Sequence, residues 1–144
     1  IGSRRTGRTE AGGAMNDRER LEMIDAILDE LSEMAEERVI LIEGLKDRAA
    51  LGRLIGDFRC IMVQREGGPL RAAETLFDNG DKAIILTDWD NKGDIIAADL
   101  EHHLSALGIE YDTTIRRRLG DLCRKDIKDI ESLDSLYARL SLTL

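Results

Sequence analysis

Residues 39–42 read Val-Ile-Leu-Ile, an apolar run with no polar alternation. A strand with one wet face alternates apolar and polar side chains. A run without alternation must be covered on both faces, the pattern of a parallel sheet clad by helices. Comparable runs recur at 58–63 and 83–86, and stretches with helical period separate them. The first, 46–55, turns Ala49, Ala50, Leu51, Leu54 and Ile55 inward and closes at Gly56. The second, 70–77, enters through Gly67-Gly68-Pro69 and ends at Asn79-Gly80. The third, 94–107, carries Ile96, Leu100, Leu104 and Leu107 on one stripe before Gly108. Residues 109–111 supply a fourth short strand, and 113–124 and 132–141 supply two helical pieces around a 127–130 connection. Strand–helix alternation of this kind predicts an α/β fold with a mostly parallel sheet flanked by helices.

Two segments precede that alternation. Residues 1–14 hold Gly, Arg and Thr without apolar period and are read as a disordered upstream or tag-like stretch. From Asn16 to about Glu37, Leu21, Ile24, Ile27 or Leu28, Leu31 and Met34 recur every three or four residues, which is one helix face. Asn16 or Asp17 is its expected cap. Residues 15–37 hold nine acids and two bases, so this helix bears a local charge of −7 and offers an acidic face to a protein partner. The predicted organisation is therefore 1–14 disordered, 15–37 helix, and 38–144 an α/β domain with a helical C-terminal extension.

Composition narrows the function. The chain has 144 residues and a formal charge of −8, which excludes a generally basic nucleic-acid-coating protein but not a local basic strip. No apolar run approaches the roughly 18 residues of a membrane span, and no secretory signal is evident, so a cytoplasmic, membrane-free protein is expected. Cys60 and Cys123 lie far apart in apolar segments, as reduced thiols do. Aromatics make up only 3% of residues, so the core is expected to be aliphatic and any base-stacking platform thin.

Ligands of an open parallel sheet bind outside the carboxyl ends of its strands. The first strand runs out at Glu43-Gly44, with Asp47 close behind. The third runs out at Thr87-Asp88-Trp89-Asp90-Asn91-Lys92-Gly93-Asp94, where Asp88 and Asp90 share the two-residue period of a strand. If those strands are neighbours, several carboxylates gather at one edge, and a hard divalent cation is the natural relief for their repulsion. The alternative is that these acids merely cap helices and line wet turns. Some short matches are decoys. Asn91-Lys92-Gly93-Asp94 spells a guanine-reading tetrad, but the chain contains no phosphate-binding Gly-x-x-x-x-Gly-Lys-Ser/Thr loop. Asp88-x-Asp90-x-Lys92-Gly93 echoes a calcium loop, yet places a lysine where an oxygen ligand belongs.

An apolar strand ending in Glu43-Gly44, followed some forty residues later by one ending in Asp88-Trp89-Asp90 with Gly93 three residues on, resembles the Toprim family over about residues 38–110. That family is shared by topoisomerases, bacterial primases, recombination-associated proteins and ribosomal-RNA maturation nucleases. The length is most similar to its small stand-alone archaeal members. The resemblance implies a Rossmann-like sheet and Mg2+-dependent cleavage or transfer of phosphodiester bonds in RNA or DNA, with Mn2+ as a substitute. It implies Glu43 as general acid/base, given a raised pKa, and Asp88 and Asp90 as the metal pair, with Glu43 joining them. Asp47 and Asp94 match acids of some members. Gly44 and Gly93 match positions where bulk would intrude on close turns. The alternative is a non-catalytic nucleic-acid or ribonucleoprotein binding module that keeps the acidic pocket.

Substrate phosphates need local positive charge. Residues 112–128 sum to +3, with Arg116, Arg117 and Arg118 at their centre. Arg65 and Arg71, after the second strand, and Lys46 and Lys92, beside the acid motifs, are further phosphate candidates. Solvated ion pairs with the acidic first helix are the competing reading for the arginine cluster. Tyr111 and Tyr137 are read as packing residues rather than nucleophiles, and His102 and His103 as surface residues.

Overall fold

In a computed structural model, which describes residues 15–142, the elements follow the order α1 (Asp17–Met34), β1 (Arg38–Ile42), α2 (Leu45–Ile55), β2 (Cys60–Met62), α3 (Val63–Glu66), α4 (Pro69–Asn79), β3 (Lys82–Ile85), α5 (Asn91–Ala106), β4 (Tyr111–Asp112), α6 (Thr114–Cys123) and α7 (Leu133–Leu142). The expectation for residues 1–14 lies outside the described residues. The four strands form one parallel sheet in the order β2-β1-β3-β4. The fold is therefore α/β, with helices on both faces of the sheet.

Strand periodicity divides the core in two. Ile40, Ile42, Ile84 and Leu86 face one side with Leu51 of α2, the inner face of α1, and Ile115, Leu119, Leu136 and Leu140 of α6 and α7. Val39, Leu41, Ala83 and Ile85 face the other, against Ala72, Ala73 and Leu76 of α4 and Ala97, Leu100 and Leu104 of α5. The unbroken apolar runs thus reflect two buried faces, as their lack of alternation requires. β1 is central: the chain leaves it toward β2, then crosses back to lay β3 on its other side. Connections running in opposite directions from a right-handed crossover put α2 and α5 on opposite faces. They leave a crevice at the strand ends between β1 and β3.

Several boundaries differ from the sequence reading. β2 is short because it pairs only with β1 and turns directly into α3 at Val63. α5 starts at Asn91, earlier than the apolar stripe indicates, because the Asp90 side chain caps it by accepting the Gly93 N–H at 2.7 Å. β4 begins at Tyr111, since the Ile109 N–H is used to close α5 on Leu104. Ala49 points outward, on the wet side of α2. In α1 both Ile27 and Leu28 are buried, so its apolar face is wider than a single stripe. Among the described residues no helix is long and apolar enough to cross a membrane, and Cys60 and Cys123 are both free.

Candidate metal centre

β1 and β3 are paired through Leu41 and Ile85, and the ladder ends where the Leu86 N–H donates to Leu41 O. The next residues of both strands therefore emerge side by side. Glu43, only 5% exposed, accepts the Asp88 N–H on Oε2 at 2.9 Å. The Asp88 carboxylate accepts the Ile130 N–H on Oδ1 at 2.9 Å, and Asp90 Oδ1 caps α5. One carboxylate oxygen from each of Glu43, Asp88 and Asp90 lies within 4.8 Å of the other two. Each acid is thus steered by a backbone N–H through one oxygen, and the three converge from two strand ends.

This cluster opens into a cavity of about 250 Å³ lined by Glu43, Gly44, Leu45, Lys46, Asp47, Gln64, Asp88, Lys92, Asp129 and Glu131. Burial, reinforced by the charges of Asp47 and Glu43 and by a hydrogen bond with the Glu43 side chain, pushes the Asp88 carboxyl up to about 8, against the Ile130 N–H, which favours its charged form. Burial likewise raises Asp47, helped by Glu43, Glu131 and Asp129 and opposed by the Gly44 N–H that it accepts at 3.0 Å. Burial and the neighbouring carboxylates thus disfavour the charged form of Asp88, and a nearby cation would favour it. Hard, closely set oxygens of this kind fit a small divalent cation, and magnesium characteristically takes one or two carboxylates and keeps its waters.

Gly93 is fixed by close approach. A Cβ there would stand 1.9 Å from the carbonyl oxygen of Asp88. Gly44 is less constrained, since its added Cβ would meet only the flexible amide end of Gln64 at 3.2 Å.

Other expected residues are placed differently. Asp94 does not join the cluster: its carboxylate is held in an ion pair with Arg116 at 2.6 Å. Arg116 itself is turned inward, donating from Nε to Thr87 O at 3.0 Å and from Nη2 to Asp88 O at 2.6 Å, so it is not an outward phosphate ligand. Arg118 pairs with Glu30 of the acidic α1 at 2.8 Å, while Arg117 is exposed. The ion-pair reading of the arginine cluster therefore holds for Arg118. Lys46 and Lys92 do line the cavity. Arg65 is exposed on α3, and Arg71 lies beside Glu74 in a groove that reaches Leu107, away from the acids.

Sequence reasoning missed Gln64, Asp129 and Glu131 as lining residues. Gln64 is the second residue of α3, two positions past the end of β2, and is the one of the three near enough to a strand end for strand order to bring it forward. Asp129 and Glu131 flank Ile130 in a connection whose approach to the sheet depends on how α6 and α7 pack.

No model of a known family matches the chain. Individual proteins do. It is 38% identical over 124 residues to a UPF0292 protein of Pyrococcus horikoshii, covering 86% of this chain and 91% of the relative. The chain belongs to the UPF0292 family. A second member, from Methanosarcina barkeri, is 36% identical over 128 residues, covering 87% of each chain. The family designation names neither a reaction nor a ligand. Among solved structures, a protein from Aquifex aeolicus superposes with a TM-score of 0.63 at 28% identity, over 74% of this chain and 94% of its own. The match covers most of the smaller chain, in agreement with the α/β architecture described above.

Proposed function

We propose that this UPF0292 protein is a Mg2+-dependent enzyme, active also with Mn2+, that cleaves or transfers phosphodiester bonds in RNA or DNA. The observation that carries this reading is the convergence of Glu43, Asp88 and Asp90 at the β1–β3 crevice, where their carboxylate oxygens lie within 4.8 Å of one another. The Toprim-like motifs supply the same three residues. Phosphoryl transfer is catalysed chiefly by positioning and by neutralising phosphate charge. A bound magnesium ion supplies that neutralising charge. Asp88 and Asp90 would hold it. Glu43 is tethered through Oε2 to the Asp88 N–H, which leaves Oε1 to take up or return a proton on an attacking or leaving oxygen. Lys46 and Lys92, at the cavity wall, would receive the flanking phosphates. Two free cysteines agree with a cytoplasmic setting, and the acidic outer face of α1 is the surface offered to a protein partner.

The test incubates structured RNAs and DNAs with magnesium or manganese and compares wild type, Glu43→Gln and the double variant Asp88→Asn/Asp90→Asn. The amides keep an acceptor oxygen for the Ile130 and Gly93 N–H groups, so the fold is expected to survive. Wild type should cut, the double variant should neither bind Mn2+ nor cut, and Glu43→Gln should bind nucleic acid without turnover. Cleavage by the double variant equal to wild type would contradict the proposal.

A further inference from the structure

The backbone that carries Asp88 has left the sheet. Beyond the Leu86–Leu41 bond, residues 87–89 have no strand neighbour, yet Thr87 is fully buried and Trp89 is 3% exposed. Their polar groups must find partners elsewhere. The Asp88 N–H donates to Glu43 and the Thr87 hydroxyl to Gly93 O; the other partners come from the chain that follows the sheet. Arg116 of α6 donates to the carbonyls of Thr87 and Asp88 and also grips Asp94. The Trp89 N–H donates to Lys128 O, and its indole Nε1 donates to Ile127 O at 2.7 Å. The Ile130 N–H then holds the Asp88 carboxylate itself. Gly120 of α6 faces Trp89: an added Cβ would sit 3.4 Å from the tryptophan Cβ and Cγ and 3.2 Å from the Arg124 guanidinium.

We infer that Arg116, together with the 127–130 connection, is a positioning device for the acidic cluster, clamping Thr87-Asp88 so that the Asp88 carboxylate meets Glu43 and Asp90. Arg116 is the part of this clamp that a single substitution can remove. Its planar guanidinium reaches two successive carbonyls and a carboxylate at once, which a lysine ammonium at the end of a flexible stem does not reproduce. The clamp lies outside the stretch that carries the Toprim-like motifs. It therefore gives the C-terminal helices a part in the site rather than a packing role alone. The inference rests on the metal-binding reading above.

The sign of the effect separates the explanations. Arg116 is a cation beside a cation site, so if only its charge mattered, removing it would tighten dication binding. If it positions Asp88, removing it weakens binding, and partners at this remove from a metal typically contribute about tenfold to a hundredfold in affinity. The experiment titrates full-length wild type, Arg116→Met, Arg116→Lys and Asp88→Asn/Asp90→Asn with Mn2+, following free Mn2+ by electron paramagnetic resonance. Circular dichroism confirms folding, and amide exchange of Asp88 is read by NMR in metal-free protein. Both Arg116 variants should stay folded, bind Mn2+ at least about tenfold more weakly than wild type, and expose the Asp88 amide to faster exchange. Unchanged or tighter Mn2+ binding by folded Arg116→Met, or full rescue by Arg116→Lys, overturns the inference. Wild type that binds Mn2+ no better than the double variant sinks the metal reading instead. The clamp is then judged on Asp88 exchange alone, and an unchanged rate in Arg116→Met refutes it.

Discussion

Gly93→Ala should destabilise this protein although alanine is the better helix former. In a helix an alanine normally gains up to about 1 kcal/mol over glycine. At Gly93, however, the new Cβ would lie 1.9 Å from Asp88 O, 2.5 Å from its carbonyl carbon and 3.0 Å from its Cα, all backbone atoms. Ordinary contact begins near 3.4 Å, so the turn must open by roughly 1.5 Å. It has little freedom to do so. Gly93 N–H is bonded to Asp90 at 2.7 Å, Gly93 O accepts the Thr87 hydroxyl at 2.9 Å, and Asp88 O is gripped by Arg116. Overpacking of this kind costs about 1–3 kcal/mol, and each hydrogen bond lost in relief about 1 kcal/mol more. A net loss of about 3 kcal/mol, or on the order of 10 °C in melting temperature for a domain of this size, is expected. Gly52→Ala is the control: it is also helical, with nothing within 4 Å of its added Cβ, and should be neutral or stabilising. Thermal denaturation by circular dichroism measures both, and Mn2+ titration of folded Gly93→Ala should show weakened binding because the same turn aims Asp88 and Asp90. Melting of Gly93→Ala within about 2 °C of wild type would refute the close-approach argument.

The Asp88 carboxyl, raised to about 8 in the fold from an ordinary 3.8, makes the metal-free folded state hold more protons than the unfolded chain between those values. Stability from this group is present below the lower value and falls as pH rises through the upper one, with a slope of at most about 1.4 kcal/mol per pH unit. Melting with chelator should therefore drop across that window in wild type and flatten in Asp88→Asn; equal slopes would contradict the assignment. Trp89→Phe strips the indole donor from Ile127 O and should cost about 1–3 kcal/mol by urea denaturation. Arg118→Ala, which breaks a half-exposed pair with Glu30, should cost no more than about 1 kcal/mol and leave Mn2+ affinity unchanged, in contrast to Arg116 two residues earlier on the same helix.

The apolar runs at β1 and β3 state in one dimension that both faces of the sheet are covered, because strand side chains alternate and neither face could remain polar. The helical stripes follow from period in the same way, and so does the site's general location: Glu43 directly follows β1, while Asp88 and Asp90 lie in the turn between β3 and α5, beyond the reach of strand alternation. Local grammar reaches that far because each of these facts concerns a residue and its own element. Which carboxylates converge is a matter of strand order. Only the return of β3 to the flank of β1 brings Glu43 beside Asp88, while Asp94, equally acidic in sequence, is turned aside by Arg116. The three consecutive arginines look alike on paper, yet successive helix positions point about a quarter-turn or more apart. One clamps the β3 turn, one faces water and one pairs with α1. The same holds for Ile130, whose amide holds Asp88, and for Asp129 and Glu131, which reach the cavity only because α6 and α7 pack on one face of the sheet. Pattern along the chain decides what each element buries. Contacts between residues far apart in sequence depend on packing, and a single chain does not encode them locally.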